Sequence, residues 1–277
     1  MRLNKNIYSL NIFRNYSNSI SKGSKALNNI TTGQKINSAK DNPNRIGQNE
    51  SLKIQLLSSK KAEQNVQDTT SMIQTFDGAM QEVNDSLSRI KELTVQGSSG
   101  SLSDEDKNAV QDEINQLREG LKDLVNNTSF NGIGISDESI TGLDAKYKKA
   151  LVGSLPDETL DIPVFNLSLS NLGIDKIDVN EKTNNISIVD NAINMVSRVR
   201  GAYGSIQGGL EEIAENISAK NMNFASAQSS IGDANIAKEY IEYSTQQILI
   251  QSSMGLIAQA NNIPQEALQI LGNIPMG

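Results

Sequence analysis

The chain has 277 residues, 37% of them hydrophobic, a net charge of −7 at neutral pH, no Cys, His or Trp, and only 4% aromatic residues. That length suits one elongated or two small domains with a sizeable core, but the scarcity of large rings means the core is held by something other than aromatic packing. Lacking thiols and imidazoles, the chain has no zinc ligands, thiol nucleophile or near-neutral general base of the usual kind, and its acidic balance (pI ≈ 4.8) repels nucleic acid and anionic lipid.

The first residues, Met1-Arg2-Leu3-Asn4-Lys5-Asn6, carry no apolar core of the kind a Sec signal peptide needs. Residues 1–33 then place Leu10, Phe13, Ile20, Leu27 and Ile30 on a helical face among Asn and Ser. Pro43 pushes Asn42 out of the α region and suits the first turn of a following helix, so a joint is expected there. From Ala62 the residues Val66, Thr69, Ile73, Phe76, Met80, Val83, Leu87, Ile90 and Thr94 alternate four and three apart, the seam of a coiled-coil helix. Gly97-Ser98-Ser99-Gly100 reads as a turn. Ser103 with Asp106 then starts a second helix like a capping box, with Val110, Ile114, Leu117, Leu121 and Leu124 as its seam.

Between Phe130 and Asn185 the helical period breaks. Gly132, Gly134, Gly142, Gly153, Pro156, Pro163 and Gly173 punctuate the segment, and Leu160, Ile162, Val164, then Leu167 and Leu169 alternate, which predicts a small β-rich excursion. A third seam follows at Val189, Ala192, Val196, Val199, Tyr203, Ile206, Leu210, Ile213 and Ile217, extended less regularly by Phe224, Ala227 and Ile231. The glycines from Gly201 to Gly209 lack the strand context of a phosphate loop and are expected to let helices approach closely. Three long seams predict a mainly α fold, a rod-like coiled-coil bundle.

The last segment, 234–271, carries Ile236, Tyr240, Ile241, Ile248, Ile250, Met254 and Ile257. Its run from Tyr243 to Gln265 is uncharged, yet Ser, Thr, Gln and Asn spread through it favour a buried assembly helix over a membrane span. Both termini are marginal alone, which is expected of segments that order against each other or against neighbouring subunits.

The strings Met-Arg-Leu-Asn-Lys-Asn-Ile at 1–7, Ile-Asn-Ser-Ala-Lys-Asp at 36–41, Asn-Val-Gln-Asp at 65–68, Arg-Ile-Lys-Glu-Leu-Thr-Val-Gln at 89–96, Gln-Asp-Glu-Ile-Asn-Gln-Leu at 111–117, Asn-Thr-Ser-Phe-Asn-Gly at 127–132 and Ala-Gln-Ala-Asn at 258–261 resemble those of bacterial flagellins. The resemblance covers both ends and fades in the middle. It implies a secreted, extracellular structural subunit of the flagellar filament, without enzymatic activity or cofactor. Residues 1–42 with 234–277 would form the inner tube, and 43–185 with 186–233 the surrounding rod, with 130–185 facing outward. Assembly contacts would come from Leu3, Ile7, Leu10, Phe13, Ile20 and Leu27, and from Ile236, Tyr240, Ile241, Ile248, Ile250, Met254 and Ile257.

The same resemblance implies an export chaperone, junction and cap proteins as partners, and places Arg89, Leu93 and Glu113 where similar flagellins contact a vertebrate Toll-like receptor. One stretch departs from the family: Asp41-Asn42-Pro43-Asn44-Arg45-Ile46 looks a little like the hook–filament junction protein, the alternative reading. The acidic pairs Asp137-Glu138, Asp157-Glu158 and Glu211-Glu212 have no EF-hand spacing and read as solvated surface. Sequons at Asn126 and Asn166 are weak signals in a chain this rich in Asn and Ser.

Overall fold

A computed structural model describes residues 6–99, 102–140, 145–180 and 184–272. Six α-helices follow one another as α1 (Ile7–Thr32), α2 (Pro43–Gly97), α3 (Asp104–Asn127), α4 (Leu169–Leu172), α5 (Asn185–Gly232) and α6 (Ile236–Gly272). Four strands lie between α3 and α4: β1 (Ser129–Phe130), β2 (Ile133–Gly134), β3 (Lys146–Leu151) and β4 (Thr159–Val164). The chain divides into two compact units, residues 55–222 and residues 1–54 with 223–277.

In the first unit the expected seams are buried, completely on α2 and with Leu117, Leu124, Ile206 and Ile213 half-buried on α3 and α5. All ten seam positions of α2 from Ala62 to Thr94 are buried. On α5, Val189, Ala192, Val196, Val199, Tyr203, Leu210 and Ile217 join them in one core, and α3 adds Val110, Ile114, Leu121 and Val125. An apolar stripe repeating every three and four residues can be buried only by another such stripe, so three amphipathic helices close on each other. Ion pairs fix the register at the margins: Lys91 to Asp190 at 2.7 Å and Arg200 to Asp77 at 2.9 Å run α5 antiparallel to α2. The start of α3 is a capping box, in which the Asp106 amide donates to Ser103 Oγ at 3.1 Å and the Ser103 amide to Asp106 Oδ2 at 3.4 Å.

Two aromatic residues, Phe76 and Tyr203, are buried in the core. Phe76 and Phe165 flank Tyr203, with ring centroids 6.1 and 6.3 Å away. The Tyr203 hydroxyl is buried without a hydrogen-bond partner among the described residues, and burial pushes its pKa above the usual phenol range. An orphaned buried hydroxyl costs about 1–3 kcal/mol. Tyr203→Phe, which keeps the ring, is therefore expected to hold or raise the thermal midpoint, and a fall in scanning calorimetry would show that the hydroxyl is satisfied.

The excursion is two small antiparallel hairpins. Asn131 (φ 50°) and Gly132 (φ 78°) supply the paired left-handed residues of a two-residue turn between β1 and β2. β3 and β4 pair from Lys146 with Val164 to Leu151 with Thr159, and Ile162 and Val164 enter the helical core. The Leu151 carbonyl accepts from the Asn65 side chain at 3.2 Å, which ties this hairpin to α2. The expected alternation ends early, because Leu169 opens α4 and Gly173, at φ 75°, closes it.

The glycine expectations are corrected. At Gly201, Gly204, Gly208 and Gly209 a Cβ would meet nothing within 4 Å, so they permit no close helix approach. The close approach is at Gly97, the last residue of α2, where a Cβ would collide with the Val179 side chain.

In the other unit α1 and α6 lie antiparallel, as contacts from Asn6 to Ala260 and from Asn29 to Glu239 show. Their connections are stitched by backbone bonds from Lys35 N to Gly232 O at 2.7 Å and from Ala234 N to Gly33 O at 2.9 Å. Pro43 starts α2 as expected, and the Asn42 side chain accepts from the Arg45 amide at 3.2 Å.

Candidate assembly surface

Two stripes can be drawn on the α1–α6 pair, and the apolar one is not the one that joins the helices. Ser19, Gly23, Ala26 and Asn29 are the buried residues of α1. Gln246, Ser253 and Ala260, seven apart, are the buried residues of α6 among those whose side chains are described. These side chains are small or polar, and a Cβ at Gly23 would already be in van der Waals contact, 3.4 Å from the Gln246 Cβ. Hydrogen bonds supply what apolar burial does not: Asn6 Nδ2 donates to the Ala260 carbonyl at 2.7 Å, and Asn29 Nδ2 donates to Glu239 Oε2 at 3.3 Å.

The large apolar side chains point away. Ile7, Leu10, Phe13, Ile20 and Leu27 of α1 are exposed, as are Ile236, Tyr240, Ile241, Ile248 and Met254 of α6. Ile250 and Ile257 differ, being half-buried along the seam with Gln246, Ser253 and Ala260. Leu3 lies outside the described residues. Sequence reasoning missed Tyr8, Leu249, Leu256 and Ile263, which are exposed as well; the last three recur every seven residues, a spacing that could have marked them as one stripe. Side chains of this size left in water as a continuous face mark a surface meant to be covered. Among the described residues no helix is long and apolar enough to cross a membrane.

The α1–α2 connection is organised by one carboxylate. Asp41 Oδ1 takes the Lys25 ammonium at 2.8 Å, and Asp41 Oδ2 accepts from the Asn37 and Ser38 amides at 3.2 and 3.1 Å. The Lys25 hydrogen bond first, then these amides, hold its pKa at about 2, below the usual 3.8. A depressed carboxylate stabilises the fold above its unfolded pKa and loses that contribution as pH falls through the folded one. The connection is therefore expected to stay ordered down to about pH 4 and to loosen toward about pH 2. Amide exchange at Asn37 and Ser38 would report it, and Asp41→Ala should produce fast exchange already at neutral pH.

The three residues read as a receptor contact do not form one surface. Arg89 donates to Glu113 at 2.8 Å across α2 and α3 and also pairs with Glu92 at 3.1 Å, and all three are exposed. Leu93 is 2% exposed and belongs to the core, so it cannot be touched from outside the folded unit. The Asn166 sequon is equally closed: its amide is buried and donates to the Ile140 carbonyl.

Residues 3–141 match the family described as bacterial flagellin N-terminal helical region, and residues 186–271 the bacterial flagellin C-terminal helical region. A flagellin of Halalkalibacterium halodurans is 32% identical, with 98% of this chain and 100% of that protein covered. A flagellar filament core protein of Brachyspira hyodysenteriae is 28% identical over the same shares of the two chains. Among solved structures, a chain described as a flagellar hook-associated protein of Vibrio parahaemolyticus superposes with a TM-score of 0.58 at 13% identity, covering 70% of this chain and all of that one, a likeness of fold alone.

Proposed function

Because the chain belongs to the bacterial flagellins, matched by family at both ends and by relatives along nearly its whole length, we propose that it polymerises into the flagellar filament by burying the outward faces of α1 and α6 against further copies of itself. It is a structural subunit of the bacterial flagellum, and the hook–filament junction reading is not favoured. The observation that carries the assembly mechanism is the inverted pair: a seam of Ser, Gly, Ala, Asn and Gln inside, with Phe13, Ile20, Leu27, Ile241 and Ile248 outside. Such a pair is weakly held alone and gains its apolar core only from neighbours.

In this reading residues 1–42 and 234–277 form the inner tube, and 43–233 the rod with its outward excursion at 130–185. Marginal stability of the termini also suits export, in which an export chaperone keeps them apart before they pass, unfolded, out of the cell to meet junction and cap proteins. Arg89 and Glu113 form the exposed part of a Toll-like receptor contact, with Leu93 supporting them from beneath.

The test is elongation of short filament seeds by purified monomer at neutral pH, seen by electron microscopy, beside a variant lacking residues 1–33 and 234–277. Filaments from the intact chain alone support the reading. Intact monomers that never elongate seeds would overturn it in favour of a junction protein.

A further inference from the structure

Charge is distributed very unevenly between the two units. Residues 1–54 with 223–277 hold ten Lys and Arg against six Asp and Glu, whereas residues 55–222 hold fifteen against twenty-six. The fold gathers part of the basic excess around an open pocket of about 370 Å³ between α1, the α1–α2 connection and α6, where Lys22, Lys35 and Arg45 stand beside Asn29, Glu239 and Glu242. The neighbouring acids are engaged: Asp41 holds Lys25, Glu239 accepts from Asn29, and Glu242 accepts from Gln246 at 2.9 Å. Lys22, Lys35 and Arg45 have no ion pair among the described residues. Glu239 and Glu242 keep their charge, since the amides bonded to them are neutral, so Lys22, Lys25, Lys35 and Arg45 against Asp41, Glu239 and Glu242 leave the pocket a small positive excess that an anionic partner would complement.

The complementary feature is on α3. Glu105, Asp112, Glu119 and Asp123 recur along the helix face opposite the buried Val110, Ile114 and Leu121. All four are exposed and have no ion pair among the described residues. Glu119 and Asp123, four apart, are like charges at a spacing that costs helix stability.

We propose that the Lys22–Lys35–Arg45 pocket of one copy receives the acidic outer face of α3 of a second copy. The inference rests on the reading of the chain as a self-polymerising subunit, and it adds to the apolar contact a charged one that fixes which part of one subunit meets which part of the next. Opposite surplus charge on two units of one chain makes a head-to-tail contact self-complementary, and such a contact continues into an open polymer.

The test uses full-length chains, unseeded, at low ionic strength, with sedimented polymer as the readout. Reversing the pocket (Lys22→Glu, Lys35→Glu, Arg45→Glu) or the face (Glu105→Lys, Asp112→Lys, Glu119→Lys, Asp123→Lys) is expected to lower polymer about tenfold or more, the scale on which charge complementarity alters association. A chain carrying both reversals regains pairing and polymerises like the unaltered chain. A milder set, Lys22→Gln, Lys35→Gln and Arg45→Gln, guards against misfolding: its assembly should no longer slow as salt rises, while that of the unaltered chain does.

Single reversals that polymerise normally overturn the pocket contact, as does a doubly reversed chain as poor as either single one. Rescue of the pocket variant by reversing Glu211, Glu212 and Glu215 on α5 would overturn the assignment to α3. Failure of the unaltered chain to polymerise would count against the filament reading itself.

Discussion

The triple substitution Phe13→Ser, Ile20→Ser and Leu27→Ser is expected to abolish seeded elongation while leaving the monomer as helical as before. The three side chains are 58%, 43% and 47% exposed and recur every seven residues, so they form one outward stripe on α1, in which Phe13 lies against Tyr16 of the same helix. Full burial of a side chain of this class is worth about 1.5–3 kcal/mol. Half of that for each, lost at every subunit addition, amounts to roughly 2–5 kcal/mol and raises the critical concentration by about 30-fold to a few thousandfold. Sedimentation of polymer against total protein measures that concentration, and circular dichroism checks the helices. Elongation at the unaltered rate would place the assembly contact elsewhere. Gly23→Leu makes the converse case, because it acts on the inner seam: its side chain meets Gln246 directly, so the α1–α6 pair should loosen in the monomer before any polymer forms.

The contrast between those two sites explains which parts of the fold could be read from sequence. In the unit spanning 55–222, burial and hydrophobicity largely coincide, so the alternation from Ala62 to Thr94 traces the buried seam of α2, and Val189 to Ile217, with Ile206 and Ile213 half-buried, traces that of α5. In α1 and α6 they are opposed. The seam runs through Ser19, Gly23, Asn29, Gln246 and Ser253, which carry no hydrophobic signal, and the visible pattern of Leu10, Phe13, Ile20 and Leu27 belongs to a face left exposed among the described residues. A hydrophobic stripe says that something covers it, but not whether the cover is the same chain or another. Resemblance to a polymerising family, not periodicity, pointed to another chain.

Other positions were hidden because their cause is local geometry. Nothing in the string around Asp41 announces that one carboxylate gathers Lys25 and two amides, since that depends on the turn bringing them within 3.2 Å. Leu93, which sits beside the seam residues Ile90 and Thr94 and not in the stripe itself, is buried because a helix in contact with two partners buries a face wider than a single heptad stripe. Gly201 to Gly209 were misread for the opposite reason: a glycine on a helix's open side looks, in sequence, the same as one that admits a neighbour.

Phe76→Ala is expected to be the most damaging single truncation in the 55–222 unit. Phe76 is fully buried and faces Tyr203, which faces Phe165, so three of the chain's eleven Phe and Tyr residues join α2, α5 and the segment after β4. Truncating a buried Phe costs about 3–5 kcal/mol, with the cavity it leaves included. For a unit of this size each kcal/mol lowers the midpoint by about 2–4 °C, so a fall of about 10 °C is expected by scanning calorimetry or by the loss of helical dichroism. The comparison with Tyr203→Phe separates ring from hydroxyl: one removes packing volume and should destabilise strongly, while the other removes only a buried oxygen without a hydrogen-bond partner and should not. A loss below about 1 kcal/mol for Phe76→Ala would mean that the neighbouring Ile73, Met80 and Leu210 close over the gap, and that the heptad layers, not the aromatic contact, carry the stability of this unit.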